Sequence, residues 1–289
     1  MSTMTMGAVA AHFGRDIDRT LAKLPGIVEQ ARGRGVDLLV LPDATIGGYL
    51  HDLYHPTDGP GAEALPPVVD LDGPEVAAIA RMAGDMVVCF GIAERAVEEG
   101  HEVRYNTAVA VHGDGVLGVH RKVHLPLAEN EAYRAGGSFA AFDTPLGRLG
   151  MLIDFDKTFP EAARTLALDG AVVLACLSAW PASVTDRSDR IRNDRQAHLF
   201  DLYDCARAAE NQLYLVSSNQ TGVLGDLRFL GQAKVVDPAG EILAKTWAKG
   251  GLAVATADVE SDVARARRTM NHLRDRVVGS YALGALADA

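Results

Sequence analysis

Short, almost wholly apolar runs recur along this chain, interleaved with stretches whose apolar residues fall at helical spacing, and that alternation limits the folds open to it. The runs Val36–Leu41, Met86–Ile92, Leu149–Phe155, Val172–Leu177, Leu213–Ser218 and Leu252–Val259 contain too little polar alternation for strands with one wet face. They read as strands covered on both sides. Between them, Asp16–Gly33 places Ile17, Leu21, Leu24, Ile27, Val28 and Ala31 on one helical stripe, although Pro25 should kink that helix or move its start. Further helices are expected from Pro74 through Ile79 and Met82, over Pro160–Leu168 with Gly170 as the stop, and over Asp189–Asn211. Two hairpins complete the pattern. Asn106–Val111 turns through Gly-Asp-Gly at 113–115 into Val116–His120, and Leu230–Val236 turns through Asp237–Gly240 into Glu241–Lys245. Helices alternating with buried strands imply an α/β fold, and pattern alone leaves one sheet or two open. No Pro-, Gly- or Ser-rich linker and no repeat of solenoid length interrupts residues 1–289, so a single domain is expected.

A net charge of −10 without a long basic run argues against a nucleic-acid partner. No stretch approaches the roughly 18–20 apolar residues of a membrane span, and Met1–Ala11 lacks the pattern of a secretory signal, so no membrane association and a cytoplasmic location are expected. Cys89, Cys176 and Cys205 are odd in number and far apart, which favours reduced, buried thiols over disulfides or zinc.

Three separated blocks carry a more specific signal. The first runs Gly35 to Tyr49, a strand ending in Pro42-Asp43 and followed by Gly47, Gly48 and Tyr49. His120-Arg121-Lys122-Val123-His124-Leu125-Pro126 forms the second, with Glu129 seven residues before Gly136. In the third, Gly147–Ile153 leads into Asp154-Phe155-Asp156 and then Phe159-Pro160-Glu161 and Arg164. Supporting runs are Tyr105–Ala108, Ala179–Pro181, Ala206–Asn211, Asp237–Glu241 and Leu273–Arg276 before Tyr281. In order and spacing these blocks resemble the nitrilase, or carbon–nitrogen hydrolase, superfamily. The resemblance implies a four-layer αββα sandwich with two facing sheets, a pocket for a small amide- or nitrile-like molecule, and a homodimer or larger homo-oligomer packed through the C-terminal residues 265–289. It implies no cofactor.

That resemblance also places Asp43, Lys122 and Asp154 where the family carries its Glu, Lys and nucleophilic Cys, with Glu129 as the second glutamate. A thiolate attacks an amide or nitrile carbon and leaves a thioester reactive enough to turn over; a carboxylate is a poorer nucleophile, and its acyl product would be a mixed anhydride. Asp43, Lys122, Glu129 and Asp154 are the catalytic candidates, and Tyr49, Phe155 and Trp180 the substrate-binding ones. Carboxylates crowded on one ammonium cannot all ionise freely, and a shared proton would suit acid–base work. The same oxygens suit a hard divalent cation, but a central lysine repels one, and no metal is expected. Three functions stay open on the residues: a small-molecule-binding pseudoenzyme, a hydrolase using carboxylate chemistry, and an interaction subunit. Outside the blocks, His124 is expected to hold backbone, Asp156 and Arg164 to form a structural pair or cap, and the loops Leu50–Pro67 and Ala182–Asp189, with His51 and His55 in the first, to border the pocket.

Overall fold

The computed structural model describes residues 3–57 and 65–282. Its first half contains β1 (Met4–Ala11), α1 (Ile17–Arg32), β2 (Leu38–Val40), α2 (Pro74–Ala83), β3 (Val87–Glu98), β4 (His101–His112), β5 (Gly115–Arg121), β6 (Phe142–Thr144) and β7 (Gly147–Ile153). The second half continues with α3 (Pro160–Leu168), β8 (Val173–Leu177), α4 (Arg195–Asn211), β9 (Tyr214–Ser217), β10 (Asn219–Gln220), β11 (Val223–Leu224) and β12 (Leu227–Arg228). It ends with β13 (Lys234–Val236), β14 (Ile242–Lys245), β15 (Gly251–Ala257) and α5 (Val259–Ala266).

Two sheets organise these elements. One runs β10-β1-β2-β3-β4-β5, with β15 antiparallel to β1; the other runs β14-β13-β9-β8-β7-β6, and β11 pairs with β12 apart from both. Side chains alternate across each strand, so successive residues enter different cores. Leu38, Val40, Val87 and Cys89 point to the space between the sheets and meet Met151, Ile153, Ala175 and Leu177 there. Their neighbours Leu39, Leu41, Val88 and Phe90 face outward against Leu24, Val28, Val76 and Ile79 of α1 and α2. On the far side Leu152, Leu174 and Cys176 pack against Ala163, Leu166 and Ala208 of α3 and α4. The layers are therefore helix, sheet, sheet, helix, and the uniformly apolar strand runs follow from burial on both faces.

Several boundaries differ from the sequence expectation. Helix α1 continues through Pro25, which lies on its exposed side, where water can serve the carbonyl that a proline leaves unpaired. The helix expected from Asp189 begins only at Arg195, where the Asp194 carboxylate caps the Gln196 N–H at 2.9 Å; a short 3₁₀ turn at Ile191–Asn193 precedes it. Strand β7 stops at Ile153 instead of Phe155, because the chain there turns into a 3₁₀ segment, Asp154–Thr158. Strand β1, helix α5 and the β3–β4 hairpin, closed by Glu99 and Gly100 with φ of 51° and 83°, had no counterpart in the sequence reading. Residues 51–57 are turns and bends, so His51 and His55 do not share a helix. Residues 58–64 of the first loop and 283–289 of the tail lie outside the described residues.

Candidate active site

The ends of three strands bring the catalytic candidates together. Asp43 follows β2, Lys122 follows β5 and Asp154 follows β7, while Glu129 opens a 3₁₀ turn at Glu129–Glu131. The Asp43 N–H donates to the Ser178 carbonyl at 3.2 Å, and its own carbonyl accepts from Gln220 Nε2 at 2.8 Å. Gly91 is required behind it, since a Cβ there would lie 2.4 Å from the Ala44 nitrogen and 2.9 Å from Asp43 Cα. Gly136 serves Lys122 similarly: its N–H reaches the Lys122 carbonyl at 2.7 Å, and a Cβ would fall 2.2 Å from the Arg121 carbonyl oxygen.

Asp154 has φ of +48°, a left-handed turn straight off a strand. Such an elbow costs on the order of 1–3 kcal/mol and persists where the surroundings enforce it, projecting one side chain from a sharp bend. The enforcing group is Asp156. Its buried carboxylate accepts from His120 Nε2 and His124 Nδ1, both at 2.9 Å, from the His124 N–H at 3.0 Å, and from the Val123 and Ile153 N–H groups at 3.3 Å. Burial alone would raise this carboxyl, but the hydrogen bonds from His120 and His124 outweigh it and hold it well below the usual range. Asp156 thereby ties the elbow to the segment carrying Lys122. The expected pairing with Arg164 does not form; Arg164 instead donates to the Glu210 carbonyl at 2.7 Å.

At the centre, Lys122 Nζ lies 2.7 Å from Glu129 Oε2 and 3.5 Å from Asp154 Oδ2, with Lys122 and Glu129 wholly buried. The Tyr49 hydroxyl donates to Glu129 Oε1 at 2.8 Å, and Asn106 Nδ2 donates to Asp43 Oδ2 at 3.0 Å. Asp43 Oδ1 and Asp154 Oδ1 are buried without a hydrogen-bond partner. Burial pushes Asp43 up to about 7 against the pull of Lys122, with the charges of Asp154 and Glu129 adding to the rise. Desolvation also raises Asp154 and Glu129 despite Lys122. Lys122 moves up in turn: burial works against its charge, but Glu129, Asp154 and Asp43 overcome that. A single proton on this cluster would convert one orphaned acceptor into a donor. The ammonium already stands among the carboxylates where a bound cation would have to sit.

A cleft of about 600 Å³ opens above Asp154, walled by Leu53, Leu125, Phe155, Trp180 and Val184 and edged by Asp186, Arg195 and Gln196. Trp180 is both wall and core: its indole N–H donates to Gln196 Oε1 at 3.0 Å and its ring meets Phe200 edge-on at 5.9 Å. Tyr49, expected at the substrate, is fully buried behind the cluster, and its hydroxyl is engaged by Glu129. Of the four catalytic candidates only Asp154 borders the cleft; Asp43, Lys122 and Glu129 lie beneath it. Asn106 and Asp156 complete the site, and the sequence reading gave neither a catalytic role, although Asn106 stands in the Tyr105–Ala108 run. The thiols take no part: burial raises Cys89 and Cys176 to about 12, and half-buried Cys205 is raised as well.

Comparison with known proteins places the fold in a family. Residues 7–269 match the carbon–nitrogen hydrolase family model. A probable nitrilase of Schizosaccharomyces pombe is 30% identical over 214 residues, covering 73% of this chain and 74% of that protein. The crystal structure of a carbon–nitrogen hydrolase from Helicobacter pylori G27 superposes with a TM-score of 0.82 at 25% identity, covering 97% of each chain. A variant of the amidase from Nesterenkonia sp. AN1, with the acetamide moiety of fluoroacetamide added covalently at its active-site cysteine, has the same fold at a TM-score of 0.73 and 22% identity, over 96% of this chain and 94% of that one. On a family match that spans nearly the whole sequence and a shared two-sheet architecture, the chain belongs to the nitrilase superfamily of carbon–nitrogen hydrolases.

Proposed function

We propose that this chain hydrolyses a small amide- or nitrile-like substrate, uncharged at its reacting end, through carboxylate-activated water and without a thioester. The observation that carries the reading is Asp154: a carboxylate on a strained elbow at the floor of the cleft, one oxygen 3.5 Å from Lys122 Nζ. The Nesterenkonia amidase bears its adduct on a cysteine; this chain offers a carboxylate at the elbow. Direct attack by Asp154 on an amide would require expelling an amine to form a mixed anhydride, a route that attack by water avoids.

In this scheme ionised Asp154 takes a proton from water as the oxygen adds to the substrate carbon. Lys122 stabilises the negative charge developing on the substrate oxygen or nitrogen. The proton passes to the leaving nitrogen, and an amide yields a carboxylic acid and ammonia. Asp43, poised near neutrality, holds the second proton of the cluster, as in carboxylate pairs that divide acid and base roles between them. Three carboxylates around one ammonium leave negative charge even with Asp43 protonated, which disfavours an anionic reacting group. The apolar walls suit a compact hydrocarbon substituent.

A second reading, a non-catalytic binder of such molecules or an interaction subunit, is favoured by how fully Lys122 is engaged by Glu129 and Asp154. A homodimer or larger homo-oligomer through residues 265–289 is part of the proposal, supported by exposed Met270, Val277, Val278 and Tyr281. Ammonia release from a panel of amides and nitriles, compared between wild type, Asp154→Ala and Asp154→Cys, separates the readings. Release that disappears in the alanine variant supports hydrolysis. A silent wild type with an active cysteine variant supports the binder.

A further inference from the structure

A second buried charge cluster stands directly behind the elbow and plays no part in the scheme above. Lys157, three residues after Asp154 in the same 3₁₀ turn, places Nζ 2.8 Å from Asp204 Oδ1. Lys234 of β13 places its own Nζ 2.5 Å from Asp204 Oδ2 and 3.3 Å from Asp201 Oδ1. The side chains of Lys157, Asp204 and Lys234 are wholly buried. Asp201 is about one-third exposed and is shared with Lys245. Both buried ammoniums lie over the Phe200 ring, at 3.3 and 3.7 Å from its centroid, and Lys157 also lies 5.0 Å from that of Trp180, the cleft wall. The Lys157 and Thr158 carbonyls are fixed by Arg207, at 2.7 and 3.0 Å.

Two buried ammoniums share one wholly buried carboxylate, with the partly exposed Asp201 as a second partner of Lys234 only, and desolvating these charges is an expensive arrangement for stability alone. The site on the other side of the elbow has the opposite excess, with three buried carboxylates and one lysine. Taken together, the two clusters hold three wholly buried lysines and four buried carboxylates, with the partly exposed Asp201 at the rim.

We propose that Lys157, held by Asp204 and Lys234, is a positioning residue that keeps Asp154 ionised and thereby directs the shared proton to Asp43. It acts through Asp154 and through the wall formed by Trp180, and need not touch the substrate. The charged and titratable groups around Asp154 are Lys122, Asp43, Glu129, Tyr49 and Cys176 on the buried side, Asp156 with its partners His120 and His124 in the elbow itself, and Tyr54, Asp186 and Arg195 along the cleft. Lys157 approaches from the elbow itself. Consistent with this, Lys157 opposes the rise that burial imposes on Asp154, after Lys122. Burial would also raise Asp204, but Lys157 and Lys234 hold it down, while burial and the neighbouring Lys157 lower Lys234 against the pull of Asp204 and Asp201.

The inference rests on Asp154 being the group that faces substrate, yet it is tested without turnover. Aspartate side-chain carboxyl carbons are followed by NMR across pH in wild type, Lys157→Met and Lys234→Met, with Asp154→Asn identifying the Asp154 resonance. Lys157→Met leaves Asp204 paired with Lys234, so the fold retains a neutral buried pair and a side chain of similar length over Phe200 and Trp180. The Asp154 midpoint is expected to move up by roughly one pH unit in Lys157→Met, and by clearly less in Lys234→Met, whose ammonium lies one carboxylate further away. An unchanged Asp154 midpoint in Lys157→Met, or equal shifts in the two variants, overturns the proposal. Absence of ammonia release by the wild type bears on the hydrolytic reading alone and leaves this titration standing.

Discussion

Replacing Asp43 by Asn should remove a pH-dependent loss of stability that the wild type suffers as pH rises from acid to neutral. Burial lifts the folded-state Asp43 from 3.8 to about 7, so between those values the folded chain holds a proton that the unfolded chain has released. Stability therefore falls as pH rises through this window and levels off above about 7, the reverse of the usual behaviour of a salt-bridged carboxylate. The complete offset is worth roughly 4 kcal/mol, of which about 2 kcal/mol falls between pH 5.5 and 8.5. Asparagine imitates the protonated carboxyl in shape and has no charge to lose. Urea unfolding of wild type and Asp43→Asn at the two pH values should show the difference in their stabilities changing by about 2 kcal/mol, with the variant the more stable at pH 8.5. A difference independent of pH would refute the reasoning, because the proton would not reside on Asp43.

Lys122→Met should cost about 3–5 kcal/mol at neutral pH by urea unfolding, since it strands buried carboxylates, and less at pH 5, where they take up protons. Tyr49→Phe removes the donor to Glu129 Oε1 and should lower stability by about 1–3 kcal/mol, read as a drop in the urea midpoint while the secondary-structure spectrum is unchanged. Gly91→Ala drives a Cβ into the backbone beside Asp43, and a thermal melt should show a loss of about 1–3 kcal/mol or more.

How far the sequence foretold this molecule depended on whether a feature was local. Strand runs such as Val172–Leu177 were visible because both faces are covered and no polar residue interrupts them. Strand β1 was not, because Gly and Ala fill half of its run and leave only Thr5 and Val9 as strong strand formers; it is held in place by β2 and β15, more than two dozen residues and some 240 residues away. Likewise the apolar pattern of β7 runs on through Phe155, and only the positive φ of Asp154, enforced by Asp156 from its hydrogen bonds to His120 and His124, ends the strand. The candidate site fared better. Asp43, Lys122, Glu129 and Asp154 do meet, and it was the family resemblance carried by the three blocks that named them. Tyr49 was placed near the site but on the wrong side of it, since nothing local distinguishes a ring that lines a cleft from one that seats a glutamate. Lys157 and Asp204 are 47 residues apart and carried no sequence signal at all.

The most direct test of the central claim is intact-protein mass spectrometry after rapid acid quench during turnover of a simple amide, with ammonia measured in the same samples. Water attack activated by Asp154 predicts ammonia release while the wild-type mass stays unchanged at every time point, with an acyl adduct appearing only in Asp154→Cys. An acylated wild-type protein during turnover would contradict it.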